Sequence, residues 1–136
     1  MTFAAPAASY SSITPTIGTL QTLLTTTATV PLPAVGTGVV SFALNVSSGS
    51  APASPYGFSY ILTAASDSAI TTGVQSLQQA QTHYHFSINN GSVTLPFVCR
   101  GPAIANAYFR VVLYTLTATW SSGTIQASSL RIVIQG

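Results

Sequence analysis

Apolar and polar positions alternate along most of this chain with a period of two. Val40, Phe42, Leu44 and Val46 alternate with Ser41, Ala43 and Asn45, the pattern of a strand with one face buried. Tyr56 to Ala64 repeats it, with Phe58, Tyr60 and Leu62 on one face, after a loop of Ser, Gly, Ala and Pro over 47–55. A short strand is expected around Thr27 to Pro31. Ser66 to Ala80 fits neither period: Ile70 and Val74 suit a strand, whereas Val74 to Gln81 suits a helical turn.

Two hairpins dominate the second half of the pattern. Asn90-Gly91 between Thr82–Asn89 and Ser92–Cys99 is the dipeptide of a type I′ turn. That register pairs Ile88 with Val93, Phe86 with Leu95, Tyr84 with Phe97 and Thr82 with Cys99. Pro96 cannot donate to a ladder, so its strand belongs at an edge or a bulge. Beyond a connector at Arg100 to Asn106, Ala107 to Gly136 reads as a long hairpin turning at Trp120-Ser121-Ser122-Gly123. It sets Phe109, Val111 and Leu113 opposite Ile134, Ile132 and Leu130. Thr115 and Thr117 then face Ser128 and Gln126, so an apolar ladder becomes a hydroxyl ladder near the turn.

Residues 1–26 are rich in Ala, Ser, Thr and Pro, with Ile13, Ile17, Leu20, Leu23 and Leu24 scattered among them. Pro15 argues against a continuous helix. The stretch reads as an extended arm that buries these side chains against a neighbouring subunit, followed by a sandwich domain over 27–136. About eight short strands, with turn chemistry every 8–12 residues, predict an all-β fold. The expected form is a single jelly-roll-like antiparallel β-sandwich, with an immunoglobulin-like sandwich as the runner-up. The Cys…Trp…Cys spacing of the latter is absent.

Composition changes the picture most through charge. At 136 residues the chain is long enough to bury roughly two-thirds of its extended surface. Only 3% of residues are charged, against about 25% in an ordinary soluble domain. Lys and Glu are absent, so Ser, Thr, Asn and Gln must keep the surface wet. A chain so weakly charged favours association over dispersal. With almost no carboxylates, its stability should depend little on pH in the acid range.

The same inventory limits the chemistry. Asp67 is the only carboxylate side chain and sits in Ser66-Asp67-Ser68, a turn sequence. A glycosidase mechanism needs a second carboxylate, and a nucleophilic triad needs an oriented acid beside a base, so no catalytic residue is assigned. His83 and His85 share one strand face at the spacing of a two-point metal clamp, but a third ligand is missing and no metal or cofactor is expected. Cys99 reads as a small buried hydrophobe. Arg110 and Arg131 fall on one face of the C-terminal hairpin, where their partner would be nucleic-acid phosphate or a carboxylate (Asp67 or Gly136) of a neighbouring copy. Tyr56, Tyr60, Tyr84, Tyr108, Tyr114 and Trp120 fall at strand alternation and suit a core or a subunit interface. Asn45 and Asn90 head glycosylation sequons.

No run is long enough for a membrane helix, and Met1 to Pro6 lacks a basic leader region. Composition and strand count look like single jelly-roll coat proteins of small viruses. They therefore predict a self-assembling structural subunit, a virion shell first and an extracellular fibre or spore-surface layer second, located in a virion or at an extracellular surface. Its partners would be copies of itself, with weak non-specific contact to packaged nucleic acid. A lectin-like carbohydrate-binding module is the remaining alternative.

Overall fold

The computed structural model describes residues 1–48, 56–85, 91–116, 119–120 and 123–136. Among them ten strands form two antiparallel sheets. They are β1 (Thr2–Ala4), β2 (Ala8–Tyr10), β3 (Leu20–Thr26), β4 (Val30–Leu32), β5 (Gly36–Ser48), β6 (Tyr56–Ala65), β7 (Gln75–His85), β8 (Gly91–Cys99), β9 (Ile104–Thr115) and β10 (Thr124–Gln135). The four-stranded sheet runs β1-β10-β5-β8. The six-stranded sheet runs β2-β3-β9-β6-β7, with β4 also paired to β9.

The pairing is nested. β1 pairs with β10, β3 with β9, β5 with β8 and β6 with β7. The chain is thus one long antiparallel ribbon folded back at the β6–β7 turn and rolled up, so that β10 meets β5 and β9 meets β6. Each step along the ribbon crosses from one sheet to the other. This is a jelly roll, as the alternation predicts.

The predicted inward faces hold. Val40, Phe42, Leu44, Phe58, Tyr60, Leu62, Val93, Leu95, Phe97, Cys99, Phe109, Val111, Leu113, Leu130, Ile132 and Ile134 are all buried in one core. Pro96 lies on β8, an edge strand of the four-stranded sheet, where a missing donor is harmless. Beside it, Gly38 on β5 lies under the Phe97 ring, and a Cβ there would collide with the ring. The aromatic fills the space that the glycine leaves.

The predicted strand partners are corrected. β9 and β10 do not form a hairpin. β9 pairs with β3, β4 and β6, while β10 pairs with β1 and β5 in the other sheet. Phe109, Val111 and Leu113 therefore belong to the sheet facing that of Leu130, Ile132 and Ile134, and all six point into the shared core. Likewise β7 pairs with β6 and β8 with β5, so Tyr84 stands beside Gly57 and Phe97 beside Gly38. The Asn90 end of that expected turn lies outside the described residues. The ambiguous stretch from Ser66 resolves into the ribbon's tip and then β7.

Backbone bulges settle which residues point inward. In β10 the register slips by one residue between Ser128 and Arg131, and Ser129 takes a left-handed φ of 57°. The buried positions change parity there, from Ile125 and Ala127 to Leu130, Ile132 and Ile134. Gln126 and Ser128 are thereby placed on the outer side, and the expected hydroxyl ladder does not form. The Leu130 N–H donates to the Tyr10 hydroxyl at 3.0 Å, from β2. A second bulge between Thr22 and Leu24 lets the consecutive Leu23 and Leu24 both be buried.

The expected arm is also corrected, because its residues belong to the sandwich of their own chain. Leu23 and Leu24 are fully buried in β3, beside β9. Ile13 bridges Ile125, with backbone bonds of 2.9 and 2.8 Å, and packs on the core. The Trp120 N–H donates to the Pro15 carbonyl at 2.8 Å, and the Trp120 side chain closes that end of the core, 6.4 Å from the Phe58 ring. Ile17 and Leu20 stay exposed, at 49% and 60%. The consecutive Leu23 and Leu24 are the pair that the core takes out of water.

Two outcomes follow from this packing. Deleting residues 1–26 removes β3 from beside β9 and should abolish cooperative unfolding along with the β-sheet circular dichroism. A truncated chain that keeps both would contradict the placement of β3. Tyr10→Phe leaves the bulge N–H of Leu130 without its acceptor and should cost about 1–2 kcal/mol in chemical denaturation. No change in the denaturation midpoint would mean that the hydroxyl is not the partner of Leu130.

Candidate functional site

With β5, β6, β8, β9 and β10 each turning one side inward, function is sought on the two outer sheet faces and the loops between them. On the four-stranded sheet, Phe3 stands beside Val133, Val133 beside Val39 and Val39 beside Pro96. These four side chains make one apolar row across all four strands, because cross-strand neighbours project to the same side. Val98 extends it on β8. Phe3 is 61% exposed and Val98 44%. An open groove of about 490 Å³ runs along it, lined by Val39, Pro96, Val98 and Val133 with Thr37 and Gln135. Arg131 flanks the row, its guanidinium carbon 5.9 Å from the Phe3 ring centroid, a cation–π contact.

The six-stranded sheet presents a different face. Tyr108, Arg110, Val112 and Tyr114 line the outer side of β9, all half-buried. Arg110 stands between Thr25 on β3 and Thr63 on β6. Its Nε and the Thr63 hydroxyl are both buried without a hydrogen-bond partner among the described residues. Beyond Arg110 a cleft of about 410 Å³ opens, lined by Ser9, Thr25, Thr26, Thr27, Ser68 and Tyr108.

Arg110 and Arg131 consequently do not share a face. They lie on opposite outer sides of the sandwich, since β9 and β10 belong to different sheets. The paired-arginine surface expected from the hairpin register is not formed within one chain.

The loop from Ser66 to Val74 is held by Asp67. Its carboxylate accepts from the Thr71 N–H (2.8 Å), the Thr71 hydroxyl (2.5 Å) and the Thr72 N–H (2.8 Å). The Ser66 N–H closes the loop onto the Thr72 carbonyl at 3.0 Å. These bonds, the Thr71 hydroxyl first, hold the Asp67 carboxyl below the ordinary carboxylate range. Ile70 takes a φ of 56°, unusual for a β-branched residue, with its side chain buried. The acid therefore serves as a loop staple, and the loop sets Ser68 at the rim of the cleft.

The other candidates are placed as follows. His83 and His85 pair through their backbones with Phe58 and Tyr56 on β6, and their side chains lie outside the described residues. No group of three potential metal ligands occurs among the described residues. Burial raises the Cys99 thiol pKa and suppresses thiolate chemistry, as suits a core residue. Burial does the same to the Tyr60 hydroxyl, holding it protonated. Tyr60 and Trp120 are core residues, whereas Tyr108 and Tyr114 are half-buried. Asn45 projects from the outer side of β5. Among the described residues no helix is long and apolar enough to cross a membrane.

The hydroxyl cleft was not legible in sequence. Ser9, Thr25, Ser68 and Tyr108 come from four separate segments, and only the run Thr25-Thr26-Thr27 hinted at a hydroxyl-rich turn.

No family model and no curated protein matches the chain. Among solved structures it is similar to a CBM35 from Paenibacillus barcinonensis, at 11% identity and a TM-score of 0.41, over 98% of this chain and 92% of the other. It is also similar to the CBM22-1 xylan-binding domain of Paenibacillus barcinonensis Xyn10C, at 13% identity and a TM-score of 0.36, over 96% and 97%.

The Asp67 staple carries a pH signature. A carboxyl whose pKa is depressed by folding stabilises the protein above its unfolded pKa, about 3.9, and loses that contribution as pH falls through the folded value. The melting-temperature difference between the native chain and Asp67→Asn should be constant from pH 8 to pH 5 and shrink toward zero in strong acid. A difference that grows on acidification would contradict the assigned hydrogen bonds.

Proposed function

We propose that the protein is a structural subunit that assembles with copies of itself through the outer face of its four-stranded sheet. The observation that carries this reading is the row Phe3, Val133, Val39 and Pro96, continued by Val98. An apolar band crossing a whole sheet is costly to leave in water and marks an interaction surface. Copies of this chain suit it because they hardly repel one another, with one carboxylate side chain and three arginines each. The specific form proposed is a single jelly-roll shell protein of a virion, with a subunit of an extracellular fibre or spore-surface layer second. Both put the protein on an exterior and ask no catalysis of it. Whichever sheet faced the inside of a shell would present one arginine per copy, so packaged nucleic acid would be held weakly and without sequence preference, through repetition.

A second reading, a lectin-like module, is favoured by the cleft on the other sheet. An aromatic side chain beside several hydroxyls is the ordinary chemistry of saccharide contact.

Light scattering and negative-stain microscopy test the assembly reading. The native chain should form particles or filaments at tens of micromolar, with subunit interfaces above about 1,000 Å² in total. Val39→Lys with Val98→Lys should remain monomeric with an unchanged circular dichroism spectrum. A native chain that is monomeric at every ionic strength would overturn the reading, as would a double variant that assembles normally.

A further inference from the structure

We propose that the groove on the outer face of the four-stranded sheet receives the turn over residues 16–19 of a second copy, so that copies join head to tail. The inference rests on the assembly reading above and names the segment that fills the groove. In that turn the Thr19 N–H donates to the Thr16 carbonyl at 3.2 Å, and Gly18 takes the left-handed corner with a φ of 75°. Ile17 within the turn and Leu20 just after it are both exposed. Side chains hold the turn in place. The Gln21 amide spans it, accepting from the Thr16 N–H at 3.1 Å and donating to the Thr14 carbonyl at 2.9 Å. The Ile17 N–H donates to the Thr119 hydroxyl at 3.0 Å, and the Gly18 N–H to the Thr115 carbonyl at 3.1 Å. Two exposed apolar side chains are thus presented on a stapled turn, and a surface ordered in advance loses little freedom on binding.

Charge, shape and placement match this turn to the groove. Residues 1–66 contain no charged side chain, and the groove is lined by Val39, Pro96, Val98 and Val133 with Thr37 and Gln135. Arg131 stays beside it, over the Phe3 ring. Bringing turn and groove together therefore strips no ion of its water. A groove facing its own copy would leave a gap that Ile17 and Leu20 can fill, and close packing is what makes an apolar contact hold. Leu20 stands beside Tyr114 on the outer side of the six-stranded sheet and Ile17 bridges Thr115, both where β9 ends. The groove lies on the outer side of the opposite sheet, at the end where β9 begins, since Gln135 adjoins the cluster of Ile134, Gly136, Leu32 and Ile104. The 12 residues of β9 set these two ends roughly 36 Å apart. Two different surfaces so placed make a heterologous contact, which continues into a ring or a filament instead of stopping at a pair. One contact then covers both apolar surfaces, whereas pairing groove to groove would leave Ile17 and Leu20 in water.

Mixing two blocked variants tests the contact, in high salt to screen the added charges. Val39→Lys with Val98→Lys closes the groove, and Ile17→Lys with Leu20→Lys spoils the turn. Unchanged circular dichroism and melting temperature verify that both fold. In light scattering at tens of micromolar each variant alone should be a monomer. An equal mixture should reach twice the monomer mass and no more, because only one intact turn meets one intact groove. Ile17→Ser with Leu20→Ser, which adds no charge, should weaken native assembly at least tenfold. Turn variants that assemble like the native chain would overturn the head-to-tail contact and leave assembly through the sheet face intact, and so would a mixture that stays monomeric. A native chain that is monomeric at every ionic strength would overturn the assembly reading as well.

Discussion

The constraint on which this structure depends is that β9 and β10 lie in opposite sheets and turn their apolar sides into one core. Both strands carry a long apolar side, and Phe109, Val111 and Leu113 are buried as completely as Leu130, Ile132 and Ile134. Side by side in one sheet, the two would form a wide apolar face that something else would have to cover. In opposite sheets both are buried in the one core they share, with Phe109 against Phe97 of β8. The chain achieves this by crossing between sheets at every step of a rolled ribbon, which also brings its first strand onto its last. Nearly all the pairing is therefore long-range, and loop closure must be met before the contacts that reward it can form.

Bulges in β10 and β3 set which side chains of those strands enter the core. A strand that must bury one face over its whole length cannot tolerate a fixed parity when the sheet coils, and the extra residue at Ser129 resets it in β10. The freed N–H is satisfied by Tyr10 rather than by water. In β3 the same device buries two leucines in succession. Polar satisfaction at these points comes from the N-terminal segment, so residues that look dispensable in composition complete the core of their own chain.

This explains how far the sequence could be read. Period-two alternation identifies which side of β5, β6, β8 and β9 is buried, because that depends only on local geometry and hydrophobicity. It carries no information about which strand lies alongside, and proximity in sequence is a poor guide in a jelly roll, where only β6–β7 among the nested pairs joins consecutive strands. The error over Arg110 and Arg131 has this single origin. The parity change in β10 was hidden because Ser129 gives no glycine signal at its left-handed position. In β3 the spacing of Leu20, Leu23 and Leu24 matches no strand period until a bulge is allowed. Of the candidate surfaces, the exposed apolar row could not be read without the register, and the hydroxyl cleft is assembled from segments far apart in the chain. Asp67 was legible as a turn residue, which is what it is.

The two outer faces then divide the possible work. The four-stranded sheet offers an apolar row suited to another copy, and the six-stranded sheet offers hydroxyls and an aromatic ring suited to a polar ligand. Such a division requires β9 and β10 to lie in different sheets, and one distance decides that. Spin labels placed by Arg110→Cys and Arg131→Cys in a Cys99→Ala background should lie on opposite surfaces, separated by more than the ~10 Å between stacked sheets because both labels point away from the core. A separation of about 5–8 Å, that of neighbours on paired strands, would restore the hairpin and contradict the roll.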